Sequence, residues 1–155
     1  LHLTLIGSGT GKPEAEKLIQ NMGLSDVVKL TGSLTAVDYA PVLANSDIGV
    51  SPYCGWKEYS GLKLFDYKAA GLACVVSGEN GQPRTIMHGE TGWIVPPCDA
   101  DELSKALIQL STDHTLRRKL GQNARMDAEN KHGWNHTTEK VEALLIKTKE
   151  KKDLQ

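Results

Sequence analysis

Apolar positions along this chain follow two rhythms that alternate. Short stretches rich in apolar residues occupy 1–6, 27–30, 47–50, 73–76 and 92–95, and each is followed within two residues by Gly, Ser or Pro. Such runs predict strands, and 73–76 (Ala-Cys-Val-Val) predicts one buried on both faces. Between them, apolar residues recur at helical spacing. Pro13 suits the first turn of a helix that carries Ala15, Leu18, Ile19 and Met22 on one face and stops at Gly23. A short helix is predicted over 37–44, with Tyr39, Val42 and Leu43 turned inward. Another follows Glu58, with Leu62, Leu64, Phe65 and Ala69 as its packing residues, and a short one covers 85–88. Asp99 stands three residues before Glu102, the spacing of a capping box. The helix behind it packs through Leu103, Ala106, Leu107 and Leu110. Two further helices are predicted, over 115–131 and 135–149. Strands alternating with helices imply an α/β domain with a Rossmann-like parallel sheet, helices on both faces, and ligands outside the carboxyl ends of the strands. The turns 7–9, 31–33 and 52–61 fall at that edge.

The segment Glu58-Tyr59-Ser60-Gly61-Leu62-Lys63-Leu64-Phe65-Asp66 places two acids around a helix start. Unpaired N–H groups at a helix start suit a phosphate. Carboxylates accept hydrogen bonds from sugar hydroxyls. A nucleotide-sugar has hydroxyls at both ends and phosphates between them. A capped amphipathic helix with surface acids has the same spacing, and both readings stand at this point. Gly7-Ser8-Gly9-Thr10-Gly11-Lys12 also reads two ways. A P-loop would need glycine at Ile6 and Ser or Thr at Pro13, and a dinucleotide fingerprint would need glycine at Lys12. What remains is a tight strand-to-helix turn, or a backbone wall close to a ligand.

Composition narrows the classes. The chain has 155 residues, enough for one domain with a real core, and a net charge of −1, which offers no electrostatic footprint for nucleic acid. No apolar run approaches a membrane span. Cys54, Cys74 and Cys98 are widely spaced and odd in number, which indicates neither a zinc site nor a disulfide framework, and a reducing cytoplasmic compartment is the default. His132 and His136 are four apart, but Gly133 between them breaks the helix a metal pair would need. Trp56 suits stacking on a base or loop packing equally. The four lysines of 147–152 suit a solvated helix end, with a weak attraction to an anionic membrane surface as the alternative. The chain opens on Leu1 in mid-strand, which reads as a piece of a longer protein.

Taken in order, these segments resemble the C-terminal domain of the retaining glycosyltransferases of family 4, which have the GT-B fold. The resemblance is carried by Leu5-Ile6-Gly7-Ser8-Gly9, Val28-Lys29-Leu30-Thr31-Gly32 and the stretch from Ala44 to Pro52. It continues through Glu58 to Gly71, which is similar to the Glu-x7-Glu signature. Gly81-Gln82-Pro83, the stretch from Gly89 to Pro97, Leu120 to Arg125, and Trp134 complete it. The resemblance implies a donor-binding domain for a nucleotide-diphosphate sugar, partnered by an acceptor domain that lies outside the chain. Glu58 would be the catalytic contact to the donor sugar. The N–H groups of Leu62 and Lys63, behind Gly61, would meet the diphosphate, and Asp66 would hold the ribose. Gly32 would lie near the base, and Gly9 would form a wall of the cleft. No metal and no further cofactor is implied. Three departures stand out. Asp66 replaces the second glutamate and is one methylene shorter, and Arg84 stands where the family usually has an acid. The family's domain usually opens with a further strand and a loop whose basic residues meet the diphosphate, and this chain reads as beginning after them. The residues also leave room for a non-catalytic nucleotide-sugar module, or for a nucleotide-sugar isomerase or epimerase of the same fold.

Overall fold

The computed structural model describes residues 1–54, 61–80 and 83–153, with side chains through 149. Five strands and six helices alternate along these residues: β1 (Leu3–Ile6), α1 (Lys12–Asn21), β2 (Val28–Gly32), α2 (Ala36–Ala44), β3 (Ile48–Ser51), α3 (Leu62–Ala69), β4 (Ala73–Ser77), β5 (Trp93–Val95), α4 (Ala100–Thr112), α5 (His114–Lys131) and α6 (Trp134–Asp153). The chain divides into two compact units, Leu1–Ser46 and Asp47–Gln155.

In the first unit β1 and β2 pair in parallel, Leu3 opposite Val28 and Leu5 opposite Leu30, with a register shift before Ile6 meets Gly32. The strand β2 thus runs through Thr31 and Gly32, which the sequence pattern assigns to the closing turn. The helix α1 begins at the expected proline, but its apolar stripe is not packed as predicted. Leu18 is 58% exposed and Met22 61%, and the helix buries no residue. The helix α2 keeps Tyr39, Val42 and Leu43 half-buried, as its spacing predicts, although Pro41 lies inside it.

The second unit holds the core. Its sheet has the order β3-β4-β5, all parallel, with Val50 opposite Val75 and Val75 opposite Trp93. Every residue of β4 is buried. Alternate side chains on a strand point to opposite faces, and two clusters follow from that. Ala73 and Val75 pack with Val95, Ala106, Leu110 and Leu120 of β5, α4 and α5, while Cys74 and Val76 pack with Leu64 of α3 and Ile86. Full burial of a Leu or Val side chain stabilises by about 1.5–3 kcal/mol. The α4 register is the expected one, with Leu103 and Leu107 packed against the Ala106–Leu110 cluster. Asp99 caps this helix by accepting from the Glu102 N–H at 2.9 Å. The Glu102 carboxylate turns to Lys105 at 2.6 Å.

Residues 85–88 form no helix. The stretch is a turn closed by the Ile86 N–H on the Pro83 carbonyl at 3.3 Å, and His88 then bridges to Gly92. Five residues between Pro83 and Gly89 give too few helical hydrogen bonds to offset nucleation. The buried stripe of α3 also differs from expectation. Leu64 and Lys68 are its buried residues, whereas Leu62 is 75% exposed and Ala69 is exposed.

Candidate functional site

The helix α3 is the element on which the sequence concentrates its candidate chemistry. Gly61 is its N-cap and provides no side chain to accept from the first turn. The Leu64 N–H returns to the Gly61 carbonyl at 3.1 Å. Leu62 and Lys63, both exposed, begin the helix, and their N–H groups belong to the first turn, which has no partner within the helix itself. Asp66 is exposed and follows Leu62 by four and Lys63 by three, so the three share one face. The structure thus brings Gly61, Leu62, Lys63 and Asp66 together on one solvent-facing side of α3. Glu58 and Trp56 lie outside the described residues.

The remaining candidates, Gly9 and Gly32, lie in the first unit at the carboxyl ends of its two parallel strands. Ser8 and Ser33 join the two turns through their hydroxyls at 2.6 Å. Gly32 needs its lack of a side chain for conformation, with φ of +74°. Gly9 does not. Its backbone is not in the left-handed region, and an added Cβ there would meet no atom within 4 Å. Packing among the described residues therefore gives no reason for glycine at this position.

Most of what holds α3 in place was not visible in the spacing of residues. Lys68 has none of its side chain exposed. It donates to the Thr85 carbonyl at 2.9 Å and to the Asp127 carboxylate of α5. Asp127 also takes Lys131 at 2.7 Å and the His132 ring at 3.4 Å. Burial acts to raise Asp127, but hydrogen bonds from Lys131 and Lys68 outweigh it and hold the carboxyl down at about 2. Burial lowers the pKa of His132, and the neighbouring Lys68 charge adds to this against the opposing pull of Asp127. The His132 ring stands edge-on to Phe65 of α3, with centroids 5.0 Å apart. Arg125 donates through Nη1 to the Ala69 carbonyl at the far end of the helix. On the sheet side, Tyr67 lies over Gly49, where a Cβ would sit 2.6 Å from its ring, and its hydroxyl donates to the Val50 carbonyl at 3.3 Å. Burial pushes the Tyr67 phenol up, and Cys74 and Asp66 add to the effect. These contacts hold α3 against the sheet and α5 with Leu62, Lys63 and Asp66 exposed. First-turn N–H groups, the positive end of the helix dipole and an acid one turn on suit an anion that carries hydroxyls.

Other candidates resolve plainly. His88 accepts the Ile94 N–H on Nδ1 at 3.0 Å and lies against Trp93, a structural role. Among the described residues no three His, Cys, Asp or Glu gather as a metal-binding group, and no helix is long and apolar enough to cross a membrane. Arg84 is exposed in the turn after Pro83.

Known proteins match both the sequence and the fold. The family described as glycosyl transferases group 1 matches residues 1–127. N-acetyl-alpha-D-glucosaminyl L-malate synthase of Bacillus anthracis is 32% identical over 123 residues, which is 79% of this chain and 31% of that protein. D-inositol 3-phosphate glycosyltransferase of Pseudarthrobacter chlorophenolicus is 31% identical over 139 residues, 88% of this chain and 32% of that protein. The chain thus spans about a third of the length of these relatives. Among solved structures, sucrose-phosphate synthase from Thermosynechococcus elongatus superposes with a TM-score of 0.81 at 26% identity, over 95% of this chain and 38% of that one. Anabaena HepE in complex with UDP-glucose gives a TM-score of 0.82 at 18% identity, over 94% of this chain and 41% of that one. The family match takes in all five strands and the helices from α1 through most of α5; the chain belongs to the glycosyl transferases group 1 family and is a domain of the GT-B glycosyltransferase fold.

Proposed function

We propose that the chain is the donor-binding, C-terminal domain of a retaining glycosyltransferase. The whole protein would move a sugar from a nucleoside-diphosphate donor to an acceptor hydroxyl. The observation that carries this reading is the start of α3, where Gly61 offers no side-chain cap and Leu62, Lys63 and Asp66 lie exposed on one side of the helix. The diphosphate meets those N–H groups, and the helix dipole stabilises the charge that develops on it as the sugar leaves. Asp66 accepts hydrogen bonds from the ribose hydroxyls, through a bridging water where the shorter side chain falls short of them. Glu58 accepts from the sugar hydroxyls at the other end of the ligand. Gly9 and Gly32 let backbone approach the nucleotide, and the empty space beside Gly9 supports a ligand as the reason for glycine there. HepE has been solved with UDP-glucose and with UDP, which supports a uridine nucleotide as the first donor to try. An acceptor domain in the remainder of the protein would close over the donor.

The experiment is a double-mutant cycle in the full-length protein, after a binding panel of UDP-, GDP- and ADP-sugars has identified the donor. Asp66→Asn is paired with the 2′,3′-dideoxy form of the diphosphate nucleotide. The two changes remove the same hydrogen bonds, so they should be non-additive by about 1–2 kcal/mol. Glu58→Gln should be additive with the dideoxy change and should lower turnover about tenfold, or about 1.4 kcal/mol. Equal coupling for both acids would overturn the orientation of the donor along α3. Donors binding no better than free sugars would overturn the function. Interconversion of two nucleotide-sugars without acceptor would replace it with an isomerase.

A further inference from the structure

Three widely spaced cysteines form no disulfide pattern in the sequence, yet the fold brings two of them together. Cys54 lies three residues beyond β3, and Cys98 lies in the turn between β5 and α4. The Cys98 N–H donates to the Tyr53 carbonyl at 3.3 Å, and the Cys98 Sγ stands 3.4 Å from the Cys54 carbonyl oxygen. The amide and the thiol of Cys98 therefore both meet the backbone at Tyr53 and Cys54, which makes the two cysteines neighbours in space although 44 positions separate them. Cys98 also has a left-handed backbone, φ +59°, which a residue with a Cβ adopts only when its surroundings impose it. Both thiols are exposed, so a small oxidant can reach either. Cys74 differs in each respect. It is buried in β4, burial pushes its thiol up to about 12, and its Sγ donates to the Leu72 carbonyl at 3.6 Å.

We propose that Cys54 and Cys98 are an oxidative modification site, joined in a reversible disulfide when the protein meets a hydroperoxide. One thiolate attacks the peroxide, breaking the O–O bond to give a sulfenic acid and an alcohol or water. The second thiol then displaces the sulfenic hydroxyl as water and forms the S–S bond. The two sulfurs together lose two electrons, the peroxide gains them, and a dithiol reductant reverses the step. The bond ties Cys54 to the turn before α4, and so fixes the residue from which segment 55–60 departs. That segment contains Glu58, so an effect on donor binding rests on the functional reading above, whereas the disulfide does not.

The test treats the native protein with hydrogen peroxide, alkylates the remaining thiols and maps the peptides by mass. The expected result is a cross-link between the Cys54 and Cys98 peptides within one chain, with alkylation only at Cys74, and recovery of all three thiols after dithiothreitol. Cys54→Ser and Cys98→Ser should each abolish the cross-link. In the oxidised protein, hydrogen exchange at Tyr53 and Cys54 and in the turn 96–99 should slow about threefold or more, as expected when a local opening is restrained. Cross-links through Cys74, links only between chains, or sulfinic acids without a link would overturn the site. Unchanged exchange in both peptides would overturn the restraint. UDP affinity, measured in both states, reports separately on the functional reading: no UDP binding by the reduced protein removes that reading and leaves the disulfide map as it stands.

Discussion

Lys68 makes the largest difference between what the residues suggest and what the fold does with them. A fully buried ammonium is tolerable only because Asp127 and the Thr85 carbonyl accept its hydrogen bonds. Removing one partner of a buried pair typically costs about 3–5 kcal/mol. Lys131 and His132 remain beside Asp127, so Lys68→Met should fall near the lower end, about 3 kcal/mol. Lys68→Met with Asp127→Leu should recover most of that loss. Urea denaturation of the three proteins is the measurement, and a double variant no better than the single would contradict the pairing. The same cluster sets a pH dependence. Asp127 is depressed to about 2 from an unfolded value of about 3.9, so the folded state binds fewer protons. Its contribution is present above about pH 4 and is lost as pH falls toward 2. His132 is also depressed, which has the same sign for a base held neutral: its contribution is complete above about 6.5 and fades as pH falls below it. Stability should therefore decline in acid in two stages, and Asp127→Asn should remove the lower one. None of this was legible in the sequence. Lysine at position 68 reads as surface, and its partner lies 59 residues away, beyond the reach of any local pattern.

At the level of elements, α3 is held against α5 closely enough to require glycine. A Cβ on Gly121 would run into the Gly71 carbonyl. Gly121→Ala must push α5 from the turn after α3, and should destabilise by about 1–3 kcal/mol. Gly9→Ala, with open space around it, should leave the melting temperature almost unchanged and weaken donor binding in the full-length protein. A thermal scan with a UDP titration separates the two, and a stable, fully binding Gly9→Ala would remove that residue from the site. Where packing and local signal agree, the sequence was sufficient. The α4 stripe of Leu103, Ala106, Leu107 and Leu110 and the Asp99 cap appear as read. The strand β4, apolar throughout, is buried throughout. Where they disagree, packing prevails. Leu62 is apolar and near the right phase for the core, but Leu64 and Lys68 occupy the buried face. The stretch 85–88 has helical spacing but too little length between its proline and glycine.

For the molecule as a whole, burial is uneven. Leu64, Val75, Leu110 and Leu120 are buried in the second unit, while among the described residues of the first unit none is buried. Amides of β1 and β2 should therefore exchange through smaller openings than those of Val75 and Val76, which a native-state exchange series in low denaturant would show as two distinct opening free energies. A single common value would mean that the units open together. Strand and helix order was legible because alternation and terminal glycines are local signals. The division into two units was not, because it depends on which faces find cover. The chain alone should not sustain sugar transfer. A donor domain can bind, but alignment with an acceptor and exclusion of water need a second surface. Multiple turnover by the isolated chain would refute this.

The Lys68–Asp127 pair also bears on how this sequence can drift. Losing Asp127 alone strands the buried Lys68 ammonium, and losing Lys68 alone leaves Asp127 to Lys131 and His132, whereas losing both together costs less than either. Two positions so linked cannot wander independently. Among descendants of this gene, lineages should carry both charges or neither, and the mixed forms should be short-lived or accompanied by a compensating change nearby.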